Sequence, residues 1–202
     1  MNRIITIGRE FGSGGRELGR RLAEILEVPY YDQEILTEIA NRTELSEKYV
    51  KSIVEQRPVF SFPIHIGHSF TPMMSSSLDY GQKIYAEQCN ILRELSEKSG
   101  CVIVGRCADH ILRDSNPFRI FVYADMESRI ERCRKKGNEK EDMSDKEMKR
   151  MITDVDKNRA RYYEFYTDQK WGDRKNYDIC INTAGQDIKR IATILSKMFV
   201  DQ

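Results

Sequence analysis

Ile4-Ile5-Thr6-Ile7-Gly8-Arg9-Glu10-Phe11-Gly12-Ser13-Gly14-Gly15-Arg16-Glu17-Leu18-Gly19 is the stretch on which the fold turns. Its first four residues are apolar or β-branched, and the run stops at Gly8 as a buried parallel strand does. Leu18, Leu22, Ile25 and Leu26 then recur at helical spacing with charges between them, and Pro29 keeps that helix short. A loop that wraps phosphate needs inward-pointing N–H groups, hence unusual φ values and no obstructing Cβ, and the following helix adds its positive end. Gly12, Ser13, Gly14 and Gly15 meet those requirements, and three glycines in four residues exceed what a plain tight turn demands.

Outward from this unit, strands and helices alternate. Val28 to Tyr31 reads as a second strand ending at Asp32, and Ile35, Leu36, Ile39 and Ala40 mark an amphipathic helix. Ser46 is placed to cap a helix carrying Tyr49, Val50, Ile53 and Val54. From Arg57 to Ser77 the pattern dissolves among prolines, too long for an ordinary connector, so a mobile or substrate-covering loop is expected. Helical spacing returns from Leu78 to about Lys98. Cys101 to Val104, the most hydrophobic strand, is expected at the centre of the sheet and ends at Gly105-Arg106. Phe118 to Tyr123 and Tyr177 to Ile181 are the remaining strands. Ser144 and Glu147 have the spacing of a capping box that opens a long helix to about Tyr166. This alternation predicts an α/β fold, a parallel sheet with helices on both sides, whose ligands sit beyond the carboxyl ends of the strands.

The 202 residues, 40% of them hydrophobic, suit one domain spanning 1–202. Thirty-three basic residues against 32 acidic ones leave a net charge of +1, too little to gather nucleic acid or an anionic membrane non-specifically. No nucleic-acid or membrane partner is expected. Five cysteines without a C-x-x-C pair argue against a disulfide framework and a zinc knuckle, and with no signal-peptide pattern at the N-terminus they point to the cytoplasm.

The glycine-rich stretch resembles the loop of the cytidylate kinase-like family, a branch of the nucleoside-monophosphate kinases. The likeness extends through Tyr31-Asp32, Gly105-Arg106 with Asp109, Asp154 to Arg161, Trp171-Gly172-Asp173 and Tyr177-Asp178. It implies a three-layer P-loop kinase fold with an acceptor-side insertion at about 42–80 and a helical lid at about 129–160. It further implies magnesium and transfer of the γ-phosphate of ATP to a small-molecule nucleotide, CMP or dCMP, by a monomer or homodimer. A binding protein without transfer activity and a kinase of another small molecule are the alternatives.

The departures from the standard G-x-x-x-x-G-K-[S/T] loop bear on catalysis. With the glycines aligned, Gly15 stands at the lysine position, and Arg16 and Glu17 follow where the motif has its hydroxyl. Arg16 either supplies the lost charge or lies exposed on the first helical turn. Glu17 either binds magnesium through water or stabilises the helix start. Arg106 is expected to enter the cleft and hold the acceptor phosphate, or else to pair with Asp109 or Asp32. Asp32 contacts the acceptor, holds magnesium or caps the next helix. Asp109 orients Arg106 or contacts base or ribose. On the lid, the resemblance places Arg159, and less directly Arg161, near the γ-phosphate. Arg132 is assigned to the transition-state charge, while Arg129 and Arg134, interleaved with Glu127 and Glu131, read as solvated ion pairs.

Overall fold

A computed structural model of the chain describes residues 3–55, 75–136 and 143–200. Among these, five parallel strands, β1 (Ile4–Arg9), β2 (Tyr30–Tyr31), β3 (Cys101–Val104), β4 (Phe118–Tyr123) and β5 (Ile179–Asn182), run in the order β2-β3-β1-β4-β5. β1 pairs Ile4–Ile7 with Cys101–Val104 on one side and Ile5–Arg9 with Phe118–Val122 on the other. The central strand is therefore β1, and Cys101–Val104 lies one place off centre. Four consecutive buried residues require cover on both faces, which every interior strand has, so hydrophobicity could not separate the two positions.

Alternation along β1 divides the core. Ile5 and Ile7, with Val102, Val104, Ile120 and Val122, meet α1 (Gly15–Leu26) and α8 (Ile188–Val200) through Leu18, Leu22 and Leu195. Leu18 and Leu22 are fully buried, each contributing about 1.5–3 kcal/mol. Ile4, Cys101 and Ile103 face the opposite layer, formed by α2 (Glu34–Thr43), α3 (Glu47–Glu55), α4 (Ser75–Lys98) and the short α5 (Ala108–Ile111). Three layers result, as the alternation of strands and helices predicts. Beside the loop after β1, α6 (Met126–Lys136) and α7 (Asp145–Thr167) share a smaller cluster of Cys133, Met148 and Ile152 with Phe11 against it.

Element boundaries follow local chemistry. α7 opens on the expected capping box, in which the Glu147 N–H donates to Ser144 Oγ and the Ser144 N–H to Glu147 Oε2. The Ser46 hydroxyl accepts from the Tyr49 N–H at 3.3 Å, as its capping role requires. The second strand forms only at Tyr30–Tyr31 and not from Val28. Glu27 ends α1 at φ 53°, and the Val28 N–H is given to Ala23 O at 3.0 Å, closing the helix instead of pairing. β5 begins at Ile179 because the Tyr177 N–H turns back to Arg174 O. The expected loop from Arg57 to Ser77 lies mostly outside the described residues. No helix among the described residues is long and apolar enough to cross a membrane.

Candidate functional site

The turn after β1 is built around its glycines. Gly12 and Gly14 have φ of 78° and 86°, the left-handed region in which a side chain is strained. Close approach adds to this requirement, since a Cβ on Gly12 would lie 2.9 Å from Arg129 O and one on Gly15 2.5 Å from Arg9 Cβ. Ser13 is fully buried and turned inward, its hydroxyl donating to Glu10 O at 2.8 Å. The Ser13 carbonyl accepts from the buried Thr183 hydroxyl at 2.7 Å and from Arg132 at 3.4 Å. Arg132 also donates to Thr183 O and Thr183 Oγ1. The glycine turn is thus fastened to the segment after β5. Gly12, Gly14, Gly15, Arg16 and Arg132 line a cavity of about 180 Å³ at the start of α1.

The other wall of this cavity comes from α6 and α7. Arg129, expected in solvent, is buried, and its Nε donates to Phe11 O at 2.7 Å. It forms ion pairs with Glu10 at 3.2 Å and with Asp156, and the Phe11 N–H donates to Asp156 Oδ1 at 2.8 Å. Burial raises the pKa of both carboxyls while Arg129 opposes the rise. The i,i+4 charge pattern of α6 concealed this, because the partners of Arg129 lie 27 and 119 residues away. Arg134, by contrast, pairs with Asp145 at the surface, as a solvated lid residue should.

A second cavity, of about 50 Å³, opens where β1 and β3 end. Gly105, Arg106 and Cys107 adopt φ of 74°, 61° and 53°, three successive left-handed residues, of which the two non-glycines cost on the order of 1 kcal/mol each or more. Gln88 secures the bend by donating to Arg106 O at 2.9 Å. The bend presents Arg106 to the cavity, whose wall also includes Asp109, Tyr162, Tyr163, Trp171 and Tyr177. Asp109 accepts from the Tyr163 hydroxyl at 2.6 Å; burial raises its pKa and this hydrogen bond lowers it. Trp171 packs edge-on against Phe121 at 5.3 Å between ring centres.

The two cavities have Arg9 and Arg159 in common. Arg159 donates to Arg9 O at 3.1 Å, lies 3.7 Å from Asp156 and covers the Phe11 ring. Asp32, buried at the end of β2, is 2.7 Å from Arg16 and 3.7 Å from Arg9. Its carboxylate makes no cap for α2, where Gln33 occupies the cap position without a side-chain bond. Glu17 is 3.0 Å from Arg21, one turn along α1, and Arg161 is exposed and lines neither cavity. No cluster of three or more metal-ligating side chains occurs among the described residues. Sequence reading passed over Arg9, Thr183 and Gln88 and took Arg129 for a solvated ion pair. Arg9 carried a visible signal, a cation at the carboxyl end of the central strand.

Solved structures share this architecture. A protein of uncharacterized function from Eubacterium ventriosum ATCC 27560 is 30% identical, with 99% of each chain covered and a TM-score of 0.70. Shikimate kinase from Bacteroides thetaiotaomicron, at 16% identity, matches 98% of this chain and 99% of its own with a TM-score of 0.58. Shikimate kinase from Acinetobacter baumannii in complex with shikimate, also at 16%, matches 99% and 93% with a TM-score of 0.54. These likenesses establish a P-loop kinase fold. No curated protein matches the sequence. The family model for cytidylate kinase-like proteins matches residues 4–185, a span that takes in the glycine loop, both cavities and the α6–α7 wall, and the chain therefore belongs to the cytidylate kinase-like family.

Proposed function

We propose that the protein is an ATP-dependent phosphotransferase acting on a nucleoside monophosphate, CMP or dCMP, as a single cytoplasmic unit. The observation that carries this reading is the pair of cavities meeting at Arg9 and Arg159 beyond the ends of β1 and β3. A donor and an acceptor placed one in each cavity would bring their phosphates together among arginines. Phosphoryl transfer asks for that combination of positioning and positive charge, with little covalent work from the protein.

In this reading the N–H groups from Gly12 to Arg16 and the start of α1 hold the donor phosphates. Arg106, at the left-handed bend, holds the acceptor phosphate, and the aromatic wall of Tyr162, Tyr163 and Tyr177 offers apolar surface to a base. Arg159 reaches the transferring group from α7, and Arg132 keeps the loop in register through Ser13 and Thr183. Magnesium belongs here to the nucleotide substrate. The described carboxylates at the loop do not fit a resident ion, because Glu17 is paired with Arg21 and Asp32 with Arg16. An anionic acceptor needs no general base, which accords with arginines around the acceptor cavity.

A coupled assay with Mg-ATP and CMP, dCMP, UMP, AMP and shikimate in turn tests the reading, with turnover expected for the pyrimidine monophosphates. If no acceptor is turned over although a non-hydrolysable ATP analogue raises the melting temperature, the kinase reading fails and a nucleotide-binding role takes its place.

A further inference from the structure

P-loop kinases use a loop lysine to bridge the donor phosphates, and this loop has glycine in its place. Arg16, the nearest cation in sequence, is a poor replacement. Its side chain is 44% exposed and its guanidinium is held by Asp32 at 2.7 Å.

Arg9 is differently situated. It is the last residue of the central strand, its main chain paired with Val122, and its side chain is only 11% exposed. The guanidinium crosses Gly105, where a Cβ would fall 1.8 Å from Nη1, and the stem crosses Gly15, where a Cβ would fall 2.5 Å from Arg9 Cβ. Two glycines on separate strand-end loops thus leave room for one arginine, and with Arg159 it borders both cavities.

The protein supplies Arg9 with little counter-charge. Its ion pair with Asp32 is long, at 3.7 Å, and shared with the closer Arg16. Its Nε has no hydrogen-bond partner among the described residues. Burial and the neighbouring Arg159, Arg106 and Arg16 depress its pKa, with Asp32 pulling the other way. A buried guanidinium among like charges is unfavourable until an anion joins it.

We infer that Arg9 takes the place of the missing P-loop lysine, its guanidinium binding the phosphoryl group in transit between the two cavities. In the transfer, the bond between the γ-phosphorus and the β–γ bridging oxygen breaks, its electron pair leaving with ADP. An acceptor phosphate oxygen supplies the pair for the new bond. Arg9 exchanges no proton and neutralises the non-bridging oxygens throughout.

The inference rests on the phosphotransferase reading, and the experiment separates the two. Arg9→Gln, Arg9→Lys and Arg16→Gln are compared with the wild type in steady-state transfer and in calorimetric titration with ADP and a non-hydrolysable ATP analogue. Arg9→Gln is expected to lower kcat by about 10²–10³-fold with a smaller rise in the KM for ATP, and Arg9→Lys to recover part of the loss. Arg16→Gln should act mainly on KM. Arg9→Gln with near wild-type kcat, beside a collapse of kcat in Arg16→Gln, overturns the inference. Should the wild type turn over no acceptor, the kinase reading fails, and titration alone decides whether Arg9 recognises the γ-phosphate. Loss of the analogue-over-ADP preference in Arg9→Gln supports that contact, and its retention refutes it. Should Arg9→Gln fail to fold, a wild-type crystal with ADP and beryllium fluoride decides. Arg9 nitrogens within about 3.5 Å of the fluorides support the inference, and a guanidinium turned away from them ends it.

Discussion

The Arg16 guanidinium lies 2.7 Å from the carboxylate of Asp32, joining the first turn of the helix after the glycine loop to the end of the second strand. Asp32 also offers its charge to Arg9 at 3.7 Å. Asp32→Asn removes that charge from a cluster of like-signed groups. Because Arg16 is partly exposed, the loss in stability should be modest, about 1–2 kcal/mol. Thermal melts at low ionic strength should show it, and inorganic phosphate or ADP should restore more stability to the variant than to the wild type. An unchanged melting temperature without phosphate contradicts this account of the cluster.

Arg129 ties α6 to both the loop and α7. Replacing it with methionine leaves the half-buried Glu10 and Asp156 without their shared cation, at a cost of about 3 kcal/mol. Urea denaturation should record this loss. Because both carboxyls already have raised pKa values, acidification should close part of the gap between Arg129→Met and the wild type.

Thr183 is fully buried, and its hydroxyl donates to Ser13 O at 2.7 Å. Thr183→Val keeps the shape and removes the donor, so stability should fall by about 1–3 kcal/mol. Loosening the loop should also weaken binding of an ATP analogue, with a smaller effect on binding at the acceptor cavity. Calorimetric titration of each ligand distinguishes this from a general loss of folded protein.

Burial holds the Asp109 carboxyl above its ordinary value of 3.8, the Tyr163 hydroxyl bond only partly offsetting it. The sign follows from linkage. The protonated acid suits the folded state, so its stabilising contribution is full below the unfolded pKa and is lost as pH rises through the higher folded pKa. Asp109→Asn, which mimics the neutral acid and still accepts from Tyr163, should therefore gain stability relative to the wild type as pH rises from about 4 to 8. Melting curves for the pair across that range test it, and a difference that shrinks with rising pH contradicts it.

Much of the fold and the glycine turn was legible in the linear chain because both rest on local chemistry. The run Ile4–Ile7, the glycines at 12, 14 and 15, and the Ser144–Glu147 capping box each carry their structural reason within a few residues. Boundaries at Val28 and Tyr177 were harder, since backbone hydrogen bonds from neighbouring turns decided where pairing began. By itself, then, the sequence determined the layered α/β order and a candidate site at the carboxyl ends of the strands, through periodicity and glycine content. Only the tertiary structure decided which cations border the two cavities there. The charge of Arg129 is buried against Glu10 and Asp156, Arg16 is engaged by Asp32, and Arg9 reaches the junction of the cavities over Gly105. Charge acts through space and burial, so the role of an arginine is set by neighbours that the linear chain holds far apart.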